Sequence, residues 1–384
     1  MMIARTPEAE APDWAAIVVV ILSVTAFAIA QGLTFPLISL MLQNKGVSGS
    51  LIGLNAAGYA VGAATAVLMI DKLTARLHGD RLIIAALFGC SLSLAAFALT
   101  DYLPAWFVAR FVIGFCASLI SILTGAWLNT ASPNRIRGRI SGFYGAGMSA
   151  GFAAGPLAIP LLGTKSGFAF ALVALYVAFI GFASVAVVGR TRTLPQNAPS
   201  GALFRFVRAA PVLVLMEFAF GFADIAAISG MAVYFVRVGH SEAFAAYAII
   251  VLSLPTALAQ PLVGWLLDRT SRTGVVVGCG LLGATAFLSI PFLHYEAAIL
   301  ITFAVIGVAT FALSTCALTI LGERFEGGML VAGTASFSLA YSAGSFMGST
   351  GTGIAMDLIS PAAVPVSVGL FLLTFAGIVV VRRP

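Results

Sequence analysis

Twelve long apolar segments, each roughly 18 to 28 residues, recur along this chain with short connections between them. A helix needs about 20 residues to cross the hydrocarbon of a bilayer, whereas a barrel strand needs about 10. The segments therefore read as transmembrane helices beginning near Trp14, Leu51, Leu82, Ala105, Ser141, Phe168, Pro211, Phe244, Gly274, Ala297, Leu330 and Ala363. Length excludes a barrel, and a helix satisfies its own backbone groups where no water can. With 60% hydrophobic and 9% charged residues, the chain also lacks the polar surface to cover a water-soluble globule. The first segment does not read as a secretory leader: it is too long, follows Glu8, Glu10 and Asp13, and lacks a small-residue cleavage pattern. The N-terminus is expected to be kept.

Basic residues fall in alternate connections. One set holds sixteen, namely Arg5, Lys72, Arg76, Arg81, Arg135, Arg137, Arg139, Arg190, Arg192, Arg205, Arg208, Arg269, Arg272, Arg324, Arg382 and Arg383. The other holds three, Lys45, Lys165 and Arg237, while Arg110 sits inside a span. The positive-inside rule then places both termini in the cytoplasm of a multi-pass protein of the inner (plasma) membrane. Topology thus accounts for the net charge of +6, and no nucleic-acid partner is implied. Cys90, Cys116, Cys279 and Cys316 lie in apolar helices without zinc-like spacing, and His78, His240 and His294 are scattered. No metal and no cofactor are expected.

The largest break in the apolar pattern runs from Gly189 to Ala210. It divides the chain into a tail (1–13), a first six-helix bundle (14–189), a cytoplasmic linker (190–210) and a second six-helix bundle (211–384). In the linker, Phe204 and Phe206 beside Arg205 and Arg208 are expected at the membrane surface. Each half also carries one acid-base corner at the end of an apolar helix: Asp71-Lys72 and, 197 positions later, Asp268-Arg269. Such repetition suggests a duplicated six-helix unit, with function sought between the halves.

At this point the chain resembles the major facilitator superfamily, whose loop motif reads G-x-x-x-D-[RK]-x-G-[RK]-[RK]. The second copy keeps Gly264, Asp268, Arg269 and Arg272 but has Ser271 and Thr273 in the later positions; the first keeps Asp71, Lys72 and Arg76 but has Val67 and Thr74 where glycines belong. The resemblance implies an all-α membrane protein of twelve transmembrane helices in two pseudo-symmetric six-helix bundles, the major facilitator fold, with these residues forming a cytoplasmic gate. In the fifth span, Gly142, Gly151 and Gly155-Pro156 match the spacing of the family's antiporter motif G-x8-G-x3-G-P-x2-G-G, although Ile159-Pro160 replace its closing glycines. They imply a hinge, since glycines allow close approach and proline removes a backbone donor; ordinary small-residue packing is the alternative. A third resemblance, to a poorly characterised bacterial branch, rests on Trp127-Leu128-Asn129, Arg137-Gly138-Arg139 and Tyr144, and on Gln260-Pro261-Leu262 before Gly264. That branch has a glutamate where this chain has Gly125, so a mechanism using that acid is absent.

A charge near the bilayer centre costs about 2.5 to 3.5 kcal/mol on insertion scales, so each calls for a reason. Arg110, Glu217 and Asp224 fit that description. Asp224 and Glu217 are one heptad apart and share a helix stripe about 10 Å long. The resemblance implies that helices 1, 4, 7 and 10 line a central cavity, which would bring Arg110 and the two acids to one aqueous pocket. Asp224 is then the leading proton-coupling residue and Glu217 the second, with Arg110 as counter-charge or substrate anchor. Gln31, Thr34, Thr310, Ser314 and Thr315 complete the candidate pocket. A fixed ion pair, or hydroxyls bonded to their own helices, is the alternative reading.

These features point to a monomeric secondary transporter in a lipid bilayer, coupling protons to export of a small organic or amphipathic molecule, with uptake as the alternative direction. An enzyme is not expected: paired metal-binding acids in a D-x-x-x-D cluster and a G-x4-G-K-[ST] phosphate loop are both missing, and Gly348, Gly351 and Gly353 lie in an apolar helix. A non-transporting sensor on the same fold stays open, because fold does not settle function.

Overall fold

The computed structural model describes residues 12–132, 137–189, 191 and 203–382. Among these residues there are helices and the turns between them, with no strand. The first bundle contains α1 (Trp14–Asn44), α2 (Gly49–Thr74), α3 (Gly79–Leu99), α4 (Leu103–Ala131), α5 (Arg137–Ala154) continued by α6 (Ala158–Leu162), and α7 (Phe168–Val188). After the short α8 (Leu203–Ala209) comes the second: α9 (Pro211–Ile225) continued by α10 (Met231–Arg237), α11 (Glu242–Arg269), α12 (Arg272–Ser289), α13 (Glu296–Arg324), α14 (Gly327–Leu358) and α15 (Ala363–Arg382). Among the described residues, 10 helical segments are long and apolar enough to cross a membrane. The 28-residue α11 and 32-residue α14 complete the order.

Side-chain caps set several helix starts. Ser48, Ser241 and Ser271 each accept a hydrogen bond from the amide three residues on, which fixes where α2, α11 and α12 begin. Two spans are interrupted. The fifth tightens to a 3-10 turn at Gly155–Leu157, where Pro156 has no N–H to continue the α-helical ladder. The seventh opens into a π-helical turn at Ala226–Gly230, which periodicity did not foreshadow.

Among the described residues the bundles meet where α2 packs on α14, α5 and α6 on α11, and α1 on α10 and α11. Glycine permits the closest of these approaches. A Cβ at Gly53 would strike the Ser349 carbonyl, and one at Gly353 would strike that of Gly49, so backbones touch where α2 crosses α14. Along the fifth span, Gly151 and Gly155 lie against the backbone of α1, whereas the expected hinge member Gly142 faces open space.

Of the expected linker, Arg190 and 192–202 lie outside the described residues, as do Arg5, Arg135 and Arg383. Its end forms α8, and here one expectation is corrected. Phe204 is 85% exposed, but Phe206 is wholly buried between the rings of Phe325 and Phe337, at 5.1 and 6.0 Å. Residues two apart on a helix point to opposite sides, so one phenylalanine enters the protein while the other leaves it.

Candidate functional site

The two acids of the seventh span are both buried in α9. Glu217 Oε1 accepts a hydrogen bond from Ser314 Oγ of α13 at 2.7 Å. Asp224 Oδ2 accepts one from the Tyr341 hydroxyl of α14 at 2.7 Å, while its Oδ1 has no partner among the described residues. The Tyr341 ring packs on Phe220 at 5.2 Å, and Phe220 on Phe311 at 4.8 Å, so aromatic surface surrounds the carboxyl. Asp224 also stands directly before the π turn, where the ordinary backbone ladder is broken. A buried carboxyl with one oxygen held and one unclaimed can take up or deliver a proton without first breaking an ion pair.

Arg110 of α4 is 1% exposed. Its Cζ lies 4.3 Å from the centre of the Phe35 ring and 5.7 Å from that of Tyr59, a cation held over aromatic faces. Nε and Nη1 have no hydrogen-bond partner, and among the described residues no carboxylate stands within ion-pairing distance. In this conformer, then, no described ion pair joins Arg110 to either acid. Two tyrosines instead stand at similar depth on the facing helices α2 and α14. From the Gly53–Ser349 contact, Tyr59 lies six residues along α2 and Tyr341 eight along antiparallel α14, matching their depth to about 3 Å.

Most of the uncharged candidates turn back on their own helices. Thr34 donates to the Gln31 carbonyl at 3.3 Å, Thr310 to Ile306 at 2.8 Å and Thr315 to Phe311 at 3.2 Å. Ser314, by contrast, reaches a neighbouring helix at Glu217. Gln31 is half-buried on α1. Sequence reasoning passed over Tyr341, Tyr59 and Asn55. A mid-span asparagine is a visible signal, but the tyrosines gain meaning only from helices far away in the chain.

Six hydrogen bonds join the bundles at the end of the molecule opposite the acid-base corners. Asp357, at the close of α14, accepts from the amides of Gly49 and Ser50 at 2.8 and 2.6 Å and from Ser50 Oγ at 2.6 Å. It thereby caps the first turn of α2 from the other bundle, where the helix dipole favours a negative charge. Arg237 bonds Gln43 Oε1 at 3.0 Å, and Glu242 accepts from Asn44 at 2.6 Å and Thr164 at 2.5 Å. At the corner end the basic residues are open: Lys72, Arg76 and Arg269 are exposed, with Arg269 stacked 4.7 Å from the Trp265 ring centre. Arg272 grips Glu323 of its own bundle through two bonds of 2.7 and 2.5 Å. Asp71 lies exposed near the end of α2. Gly264 and Asp268 lie on α11, with their side chains outside the described set.

Two bundles of long apolar helices, with a cation buried in the first and two acids buried in the second, define a helical membrane protein. The sequence profile of the Major Facilitator Superfamily matches residues 20–349, and the chain belongs to that superfamily. It is 26% identical over 354 residues to the MFS-type transporter YfkF of Bacillus subtilis (strain 168), covering 90% of this chain and 89% of the relative. Among solved structures it resembles a mutant of the peptide transporter POT, with a TM-score of 0.80 at 13% identity over 97% of this chain and 94% of that one. It resembles the nucleoside transporter NupG with a TM-score of 0.75 at 14% identity, over 96% and 98% of the two chains. A bacterial homolog of the human lysosomal transporter Spinster, inward-facing and unoccupied, gives 0.74 at 14% identity over 95% and 94%. At such identities the structural likeness speaks for fold alone.

Proposed function

We propose that this protein is a proton-coupled secondary transporter that exports a small organic or amphipathic solute by alternating access, working as a monomer in the inner membrane with both termini cytoplasmic. The observation that carries the reading is Asp224: buried, bonded through one oxygen to Tyr341, unpartnered at the other, and placed beside the π turn of the seventh span. Glu217 with Ser314 is the second proton-handling group on the same stripe. In this reading the end closed by Asp357, Arg237 and Glu242 is the outer gate, the corner end is open, and the conformer faces inward. The Gly155-Pro156 break in the fifth span supports export as the direction. A proton moving with the membrane potential releases about 2.3 kcal/mol per 100 mV, enough for tens-fold accumulation.

The test is flux in sealed proteoliposomes under an imposed pH gradient, across a panel of organic solutes. Wild type concentrates its substrate uphill. Asp224→Asn is expected to lose uphill accumulation by at least tenfold while still exchanging labelled for unlabelled substrate downhill. If the variant still accumulates substrate on the pH gradient alone, Asp224 is not the coupling group.

A further inference from the structure

A second unfinished polar cluster lies in the first bundle, and among the described residues it makes no ion pair with either acid. Arg110 passes over Gly58 of α2: a Cβ at Gly58 would sit 3.6 Å from Arg110 Cγ. Asn55 is one turn from Gly58 on the same helix face, is 1% exposed, and has no partner for either Nδ2 or Oδ1. Phe35 and Tyr59, whose rings are 4.9 Å apart, hold the guanidinium by its π contacts and leave Nε and Nη1 unspent among the described residues.

Buried charges in proteins are ordinarily paired, because desolvation penalises an isolated ion heavily. Among the described residues, Nε and Nη1 of a buried cation and Nδ2 of an amide on the facing helix lack acceptors, a deficit that a negatively charged acceptor would fill, while the amide's Oδ1 lacks a donor. We infer that Arg110 and Asn55 form a binding site for an oxyanion, a carboxylate or phosphate-like group on the transported solute, with Phe35 and Tyr59 orienting the guanidinium. The site takes its anion from the ligand, whereas the acids of the second bundle already have hydroxyl donors from Tyr341 and Ser314. The solute class rests on the transport reading above; the site itself does not.

The test is equilibrium binding with no gradient. Purified protein in nanodiscs is unfolded thermally with benzoate, phenylphosphonate and inorganic phosphate, each against benzamide and sodium chloride at equal ionic strength. At least one oxyanion is expected to raise the wild-type midpoint saturably, and Arg110→Gln to weaken that response at least tenfold. Without ligand, Arg110→Gln should melt no lower than wild type, because an uncompensated charge has been removed. Asn55→Asp is the second arm: a carboxylate built beside Arg110 should raise the unliganded midpoint and abolish the oxyanion response. A wild type that responds to none of the three oxyanions, a response that survives Arg110→Gln, or an Asn55→Asp protein that melts lower and still binds, would each overturn the site. Oxyanion binding without any uphill flux in wild type would sink proton-coupled transport and leave this site standing.

Discussion

Asp224 and Arg110 are both charged and buried, and their surroundings differ in kind. Tyr341 gives the acid one strong donor, while the cation is held by ring faces and leaves donors unspent. Tyr341→Phe keeps the ring on Phe220 but strips the carboxyl of its described donor. A side-chain hydrogen bond in a membrane bundle is worth about 0.6 to 1.7 kcal/mol, so the variant should unfold at a lower temperature. Uphill transport should fall several-fold while downhill exchange persists. Unchanged uphill rates in proteoliposomes would remove Tyr341 from the proton path. The buried charges themselves were legible in the sequence, because hydrophobic spans advertise any ion they contain. Their partners were not: Tyr341 is 117 positions from Asp224, and Ser314 is 97 from Glu217. No local pattern encodes such pairs.

At the scale of elements, Asp357 is the clearest case of one helix completing another. It closes α14 and caps α2, so separating these ends exposes three donors on Gly49 and Ser50. Helix caps contribute about 0.5 to 2 kcal/mol, which corresponds to roughly two- to thirty-fold in population. Asp357→Ala should therefore shift the equilibrium away from this conformer by a factor in that range. Hydrogen exchange read by mass spectrometry over 48–54 should show faster exchange at the start of α2; unaltered protection would show that the cap does not hold this end shut. Helix starts were readable to within about four residues because serine caps and apolar onsets are local signals. The π turn at Ala226–Gly230 was not, since the stretch around it is buried nearly all round and has no one-sided apolar stripe whose phase a widening would shift. Phe206 was misplaced for a related reason: which side of α8 meets α13 and α14 is a matter of docking.

For the whole molecule, the two acid-base corners occupy equivalent ends of α2 and α11, yet the motif is more complete on α11, with Gly264 where the first copy has Val67. Asp268→Asn is therefore expected to lower transport more than Asp71→Asn in the same flux assay; equal losses would contradict that asymmetry. Orientation is tested by fusion: a fluorescent protein after Arg382 should fluoresce, and alkaline phosphatase placed after His240 should be active. The reverse pattern would invert the assigned sides. Span length, the sixteen-to-three division of basic residues and the repeated corner were enough to define a two-bundle helical membrane protein, because the bilayer imposes its thickness and charge rules on each segment separately. Which end is closed, why no described ion pair joins Arg110 to either acid, and which hydroxyl meets which carboxyl depended on the packing of helices distant in the chain. Those contacts come from close approach at Gly53 and Gly353 and from cross-bundle bonds at Asp357, Arg237 and Glu242, which exist only once the two halves have met.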